Sequence, residues 1–353
     1  MLQNLFGQQN HAFGLEIGNS SVKVFQLKKI EKKYKIIGFK REKLPKGAVE
    51  NEEIKNKDAV VTAIINALKN SKPQKIKTKN VVVSLPESKT FTKTFEVPKL
   101  PKEKLDLLIK SEIEKYIPLS PNELYIDWQV ICSTSNTLTV FLAAGLKSYI
   151  DTLQNVLQQA NLEPIIFDLE TVAETKSIIP KSRENQATAI IDIGETKTIF
   201  IIYDNNTIPF ATTVANVSGR AFTQNIAKTL EINEKEAEKL KITCCSPKMT
   251  EQERKTLTSL HIVLDKLALE INRGMNYYHA HHEKSQKIEE ILVCGGGSGI
   301  IGIAKYLSLK LRKRVKLSNS LVNVQLINFS DITLIESLSS AKVIGLALRA
   351  ANL

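Results

Sequence analysis

Apolar residues run through "FGLEIG" from Phe13, stop at the small polar group Gly18-Asn19-Ser20-Ser21, and resume in "VKVFQLKKI". The alternation around Val22 and Val24, with the Val, Ile and Phe content, predicts two β-strands joined by a tight turn. "KKYKIIGF" predicts a third. Residues 56–70, "NKDAVVTAIINALKN", have helical spacing behind Asn56, a suitable N-cap. "NVVVSLP" (80–86) is a short buried strand stopped by Pro86. The chain therefore opens strand, turn, strand, strand, helix, strand.

The pattern then changes. "TFTKTFEVP" alternates like an edge strand, and the stretch after it places Leu105, Leu108, Ile109, Ile113 and Ile117 on one helical face. "LYIDWQVI" and "LTVFLAAGL" predict strands, "KSYIDTLQNVLQQANL" a second amphipathic helix and "EPIIFDLE" a strand. These elements predict a small α/β unit inserted at 88–163. From residue 189 the opening pattern returns in "AIIDIGETKTIFIIYDNNTIPF", with an Asn205-Asn206 hairpin turn. Gly18 and Gly194 are 176 positions apart (194 minus 18), and each Ile-Gly pair follows an acidic residue, Glu16 or Asp192. That is duplication on the scale of a domain. Residues 1–87 with 164–188 are expected to form one lobe core and 189–215 with 290–353 the other. Residues 216–289 are expected to form a helical part of the second lobe.

Both turns have the chemistry of a phosphate grip, which needs converging N–H groups and close backbone approach. Gly18, Asn19, Ser20 and Ser21 supply it in the first turn, with Lys23 as a fixed positive charge. Gly194, Thr196 and Thr198 supply it in the second. Glu16 and Asp192 would repel phosphates directly, and make sense if Mg²⁺ and its water shell lie between. For either turn alone, an ordinary β-hairpin is the plainer reading. "LVCGGGSGIIG" adds Gly295, Gly296, Gly297 and Ser298 between a buried strand and a helix, a backbone against which an adenosine can lie. Glu238 and Lys241, one helical turn apart, could bond ribose hydroxyls, although a solvated ion pair is the plainer reading. The order of the four elements carries the inference.

Composition narrows the partners. Lys and Arg outnumber Asp and Glu by 49 to 37 in 353 residues, a net charge of +12. The lysines are dispersed, with no run interleaved with aromatics, so no nucleic-acid groove is expected. Cys132, Cys244, Cys245 and Cys294 form no C-x-x-C pair and read as reduced thiols. His279 and His282 share a helical face, but no acidic or cysteine ligand is evident nearby, so a polar helix end is favoured over a metal site. No stretch reaches the about 20 apolar residues needed to cross a bilayer. The first ten residues lack a signal-peptide pattern. Leu2, Leu5 and Phe6 there are expected to fray rather than touch a membrane.

The order of phosphate turn, inserted unit, second phosphate turn, acidic-lysine helix and glycine-rich turn resembles the actin-like ATPase superfamily, over essentially the whole chain. The insertion after "VVVSLP", the opening "FGLEIGNSSVKVFQL" and the pair "LALEINRGMNYY" and "ILVCGGGSGIIGIAKYL" are similar to the PilM family of type IV pilus proteins, more than to FtsA. The resemblance implies an actin-like (ribonuclease H-like) α/β fold with two lobes, a nucleotide cleft and a small inserted subdomain. It implies ATP or ADP with Mg²⁺ as cofactors. Glu16 stands where the family usually has aspartate, and Lys23 matches the phosphate-contacting lysine. Asp192 and Glu195 match the acidic pair of the second turn, and Glu170 falls where a residue orients the attacking water. Such proteins sit on the cytoplasmic face of the inner membrane and capture the N-terminal tail of the bitopic protein PilN. Membrane contact by recruitment, the pilus motor ATPase and self-association are further implied contacts, and weak ATP hydrolysis is left open. The alternatives are an FtsA-like polymerising division or cell-shape ATPase and, less favoured, a small-molecule kinase.

Overall fold

The computed structural model describes residues 11–243, 250–282, 285–327 and 332–353; Cys244, Cys245, Leu2, Leu5 and Phe6 lie outside them. The first lobe contains β1 (Phe13–Ile17), β2 (Ser21–Ile30), β3 (Lys33–Lys43), the short hairpin β4 (Val49–Glu50) and β5 (Glu53–Ile54), α1 (Lys57–Lys69), β6 (Lys72–Pro73) and β7 (Asn80–Leu85). The inserted segment follows with β8 (Thr90–Pro98), α2 (Lys102–Tyr116), β9 (Leu124–Ser133) and β10 (Thr137–Leu146). The chain returns through α3 (Lys147–Gln159), β11 (Glu163–Leu169) and α4 (Glu170–Ile178). The second lobe has β12 (Thr188–Ile193), β13 (Thr198–Asp204), β14 (Thr207–Val214), α5 (Gly219–Leu230), α6 (Glu234–Thr243), α7 (Glu251–His281), β15 (Glu290–Cys294), α8 (Ile303–Leu311) and β16 (Arg314–Leu317). The described chain ends in α9 (Leu334–Ser339) and α10 (Ala341–Ala350).

The two main sheets repeat one topology. The first runs β11-β7-β1-β2-β3-β6 and the second β14-β13-β12-β15-β16. In each, an antiparallel three-strand meander continues into two parallel strands. The sequence signals for these elements are local. Asn56 accepts the Ala59 N–H and starts α1. Asn205 and Asn206, both at positive φ, turn β13 into β14. Strands β12, β13 and β15 are buried along their whole length, as continuous apolar runs require.

Helix α3 corrects the expected boundary of the inserted unit. Leu153, Val156 and Leu157 pack with Val60, Ile64 and Val83 in the first lobe's core. The reason is topological: α3 is the crossover helix between parallel strands β7 and β11, as α8 is between β15 and β16. The inserted module is thus the three-stranded sheet β8-β10-β9 with α2, around Leu105, Ile109, Ile113, Val140 and Leu142. Helix α10 also departs from expectation. Val343, Ile344, Ala347 and Leu348 pack on Phe25, Leu27 and Ile36 of the first lobe. With α4 it forms the seam between lobes, since Ile178 and Ala341 pack against Ile190 and Ile201 of the second sheet.

At the α4–α10 crossing the backbones nearly touch. A Cβ on Gly345 would lie 1.7 Å from the Ala173 carbonyl oxygen. Both partners are helix backbone, so neither can yield by a rotamer change. Gly345→Ala is expected to force the helices apart and destabilise the protein by about 2–3 kcal/mol. Urea denaturation should show a lower midpoint.

Candidate functional site

Each duplicated hairpin closes with the same bond. The Gly18 N–H donates to the Ser21 carbonyl at 3.0 Å, and the Gly194 N–H to the Lys197 carbonyl at 2.9 Å. The tips meet across the lobes, where Asn19 Nδ2 donates to Thr196 Oγ1 at 2.6 Å. Behind them lies a cleft of about 1180 Å³, lined by both turns, by Gly295, Gly296 and Gly297, and by Glu238 and Lys241 of α6. The start of α5 faces the same space. Ser218 caps it, while the Gly219 and Arg220 N–H groups donate to the carbonyls of Gly194 and Glu195. Gly295 is required by its backbone: φ is +84°, and a Cβ there would fall 2.2 Å from Asp192 Oδ1.

The floor of the cleft is a network of charges from both lobes. Glu16 and Lys23 are cross-strand partners, paired at 2.9 Å, and Lys23 also donates to the Ser339 carbonyl at 2.6 Å. At the corresponding register Asp192 faces Ile199, and its cation comes instead from Lys342 of α10, at 2.8 Å. Lys342 also bonds Glu170 at 2.8 Å, and Glu170 in turn bonds Lys197 at 2.7 Å and the Glu87 N–H at 2.8 Å. Lys197 has a second, short ion pair with Glu52.

Burial alone would push Glu170 up, but Lys342 and Lys197 outweigh it and hold the carboxyl down to about 2. Burial likewise opposes the charge on Lys342, yet Asp192 and Glu170 hold it well above its usual value. Glu174 goes the other way: burial, and then Asp192, push it up to about 8, so at neutral pH it is mostly a carboxylic acid. It accepts from the Cys294 thiol at 2.8 Å, which burial and Glu174 keep protonated.

The structure gathers the residues named from the sequence unevenly. Glu16, Gly18, Asn19, Ser20, Ser21, Lys23, Glu170, Asp192, Gly194, Glu195 and Thr196 all line the cleft with the glycine corner and the α6 pair. Thr198 and Ser298 do not. Thr198 is the first residue of β13, corresponds to buried Val22 in the first turn, and is itself fully buried. Ser298 donates back to the Gly295 carbonyl inside its own turn. Glu195 is half-exposed and 3.6 Å from Arg220. Lys241 is buried, donating to Glu238, Thr223 and the Gly219 carbonyl, while its partner Glu238 stays half-exposed, so only the lysine end of this pair is withdrawn from water.

Lys197, Lys342, Glu52 and Glu174 were missed. A lone lysine in the small apolar helix "SSAKVIGLALRAA", and acids four apart in "LETVAETKSI", are the signals that could have found two of them.

Neither His279 nor His282 joins a metal cluster; among the described residues the one set of three close ligands is Glu174, Asp192 and Cys294. A divalent ion held through water is compatible with Glu16, whose Oε2 is buried and without a hydrogen-bond partner. Asp192 could serve it only by sharing its charge with Lys342.

A family model described as Type IV pilus assembly protein PilM matches residues 14–351. Among solved structures, the chain is similar to a PilM-PilN type IV pilus biogenesis complex, with TM-score 0.81 and 22% identity, over 97% of this chain and 98% of that one. It is also similar to MreB5 of Spiroplasma citri bound to ADP, with TM-score 0.53 and 13% identity, over 96% and 95%. The two likenesses give an actin-like fold. Among curated proteins, the cell division protein FtsA of Streptococcus pneumoniae is 25% identical over 252 residues. That match covers 65% of this chain, and the chain spans about half (54%) of that relative's length.

Lys342→Met would strand Glu170 and Asp192 without their shared cation. The expected loss is about 3–5 kcal/mol at pH 7. In the native protein the depressed carboxyl of Glu170 adds stability above pH 4.5 that fades as pH falls towards 2. Without Lys342 the Glu170 carboxyl is held down less strongly, so the variant lacks part of that stability above pH 4.5 and less of it as the pH falls. The gap in melting temperature between the two proteins should therefore narrow from pH 7 to pH 4.

Proposed function

The chain belongs to the family of the type IV pilus assembly protein PilM, and from that premise we propose that it is an ATP- or ADP-binding scaffold of the pilus machinery. In this reading it captures the N-terminal cytoplasmic tail of a PilN-like bitopic inner-membrane protein. One observation carries the nucleotide part: two duplicated hairpin tips and a glycine corner converge on a single cleft between the lobes. The turns offer backbone N–H groups and small side chains to a phosphate chain, and the glycine corner offers bare backbone to an adenosine. A neighbour in fold is known with ADP bound, which agrees with this use of the cleft.

Magnesium bound with the nucleotide would neutralise phosphate charge, held through water by Glu16 and Asp192. The chain's own lysines do the rest. Lys23, Lys197 and Lys342 line the cleft, and each is already paired with a carboxylate, so an entering phosphate chain must repartition those pairs. Glu170 has three donors on its two oxygens and a carboxyl held at about 2, which makes it a poor proton acceptor. This favours binding over hydrolysis as the resting behaviour of the site.

The inserted module supplies the protein-binding part. Its edge strand β9 leaves Tyr125, Val130 and Ile131 exposed, the type of surface that takes up an extended peptide. No helix among the described residues is long and apolar enough to cross a membrane, so the reading places membrane contact in the partner.

Two measurements test the proposal. Mg-ATP at a hundredfold excess over its Kd should add about 2.7 kcal/mol of stability, seen as a rise in melting temperature. Thr90 and Gly145 are cross-strand partners, so residues 91–144 can be replaced by a short glycine linker. The shortened protein should keep the ATP response and lose binding of a synthetic peptide copying the PilN-like tail. Undiminished peptide affinity would place the peptide site elsewhere.

A further inference from the structure

The inserted module leaves the first lobe through one short turn, Glu87–Lys89, directly after β7. Every residue of that turn is fastened to the cleft or to the hairpin beside it. The Glu87 N–H donates to Glu170 Oε1 at 2.8 Å, and its carboxylate accepts from Thr171. Ser88 Oγ makes a short bond to Glu52, and Lys89 pairs with Glu53 at 3.1 Å. Glu52 sits at the tip of the β4–β5 hairpin, with φ +66°, a conformation that disfavours a side chain. Its N–H is held by Asn19 Oδ1 at 3.0 Å, so the tip is clipped to the first phosphate turn.

Of the three carboxylates that receive this root, two, Glu52 and Glu170, converge on one ammonium. Lys197 Nζ pairs with each of them, and on Glu170 it shares Oε1 with the Glu87 N–H. Lys197 is also part of the second phosphate turn, whose closing bond it accepts through its carbonyl. The same residue therefore belongs to the phosphate cradle and to the anchor of the module.

We propose that Lys197 couples the cleft to the inserted module. A phosphate chain seated in the turns competes with Glu52 and Glu170 for its ammonium, and loss of those pairs loosens the turn Glu87–Lys89 and lets the module reorient. The inference rests on the nucleotide reading above and adds the route by which occupancy of the cleft reaches the module. Two carboxylates sharing one cation respond together, because withdrawing it leaves Glu52 without this ion pair and Glu170 with Lys342 alone, in a partly buried place.

Hydrogen–deuterium exchange of the full chain, with ATP as the probe and its binding followed separately by calorimetry, tests the proposal. In the native protein, saturating ATP should speed exchange across residues 86–90 roughly fivefold or more. Lys197→Met should show the fast exchange already without ATP. Ser88→Ala, whose side chain lies outside the cleft, should bind ATP as the native protein does, with faster basal exchange at the root and a smaller ATP response. ATP bound with unchanged exchange at 86–90 overturns the coupling and leaves the nucleotide reading standing. Slow exchange in ATP-free Lys197→Met overturns the coupling as well. Failure of the native protein to bind ATP at all overturns the nucleotide reading, while the ATP-free variants still judge whether Lys197 and Ser88 hold the root.

Discussion

Lys342 holds carboxylates from both lobes at once. Asp192 comes from the central strand of the second sheet and Glu170 from the helix that follows the last strand of the first. Charges in so enclosed a place are tolerable only when paired, so the relative placement of the lobes must satisfy this network as well as the apolar packing. Lys197 extends the network to Glu52. Protonated Glu174 completes the balance: with its carboxyl raised to about 8, it adds no further negative charge beside Asp192 at neutral pH. A multiply charged ligand entering this floor cannot leave it as it is.

The duplication explains why the network needs a third contributor. Both lobes present an acidic residue at the end of a first strand, but only the first lobe places a lysine at the facing position, Lys23 against Glu16. In the second lobe that place is Ile199, within a strand buried on both faces, where a lysine could not be hydrated. The missing charge is delivered by α10, from a chain segment that otherwise packs on the first lobe. The same helix passes Ala173 of α4 so closely that only glycine fits at residue 345. Close packing at Gly345, about one turn from Lys342 on α10, thus fixes the backbone that carries the lysine.

What could be read from the sequence was what is encoded locally. The meanders, the Asn56 cap, the Asn205-Asn206 turn and the glycine corner each depend on a few adjacent residues, and the repeat of Ile-Gly after an acid exposed the duplication. The turn residues of the site were legible for the same reason. Lys342 and Glu174 were not, because helical spacing reports which face is buried but not what that face meets. Thr198, a polar residue next to a turn, looks available in the sequence, whereas in the strand it is the first residue of β13 and fully buried. Helix α3 was grouped with the module because its amphipathic pattern continues the module's own; only the parallel pairing of β7 with β11 shows that it is the crossover.

The position of the insertion is itself a physical choice. Ligands of open α/β sheets lie beyond the carboxyl ends of parallel strands. β7 and β11 both end there, at Leu85 and Leu169, and the next residues are Pro86, which lines the cleft, and Glu170, which forms its floor. A module placed in the β2–β3 connection would leave from the far end of the meander, away from the charges. Placed after β7, its root passes within one hydrogen bond of Glu170. The corresponding site in the second lobe, after β15, is taken by the glycine corner, where any added bulk would close the space against Asp192 and Ile193. Of the two duplicated positions, only the first can carry a module and still leave the cleft open.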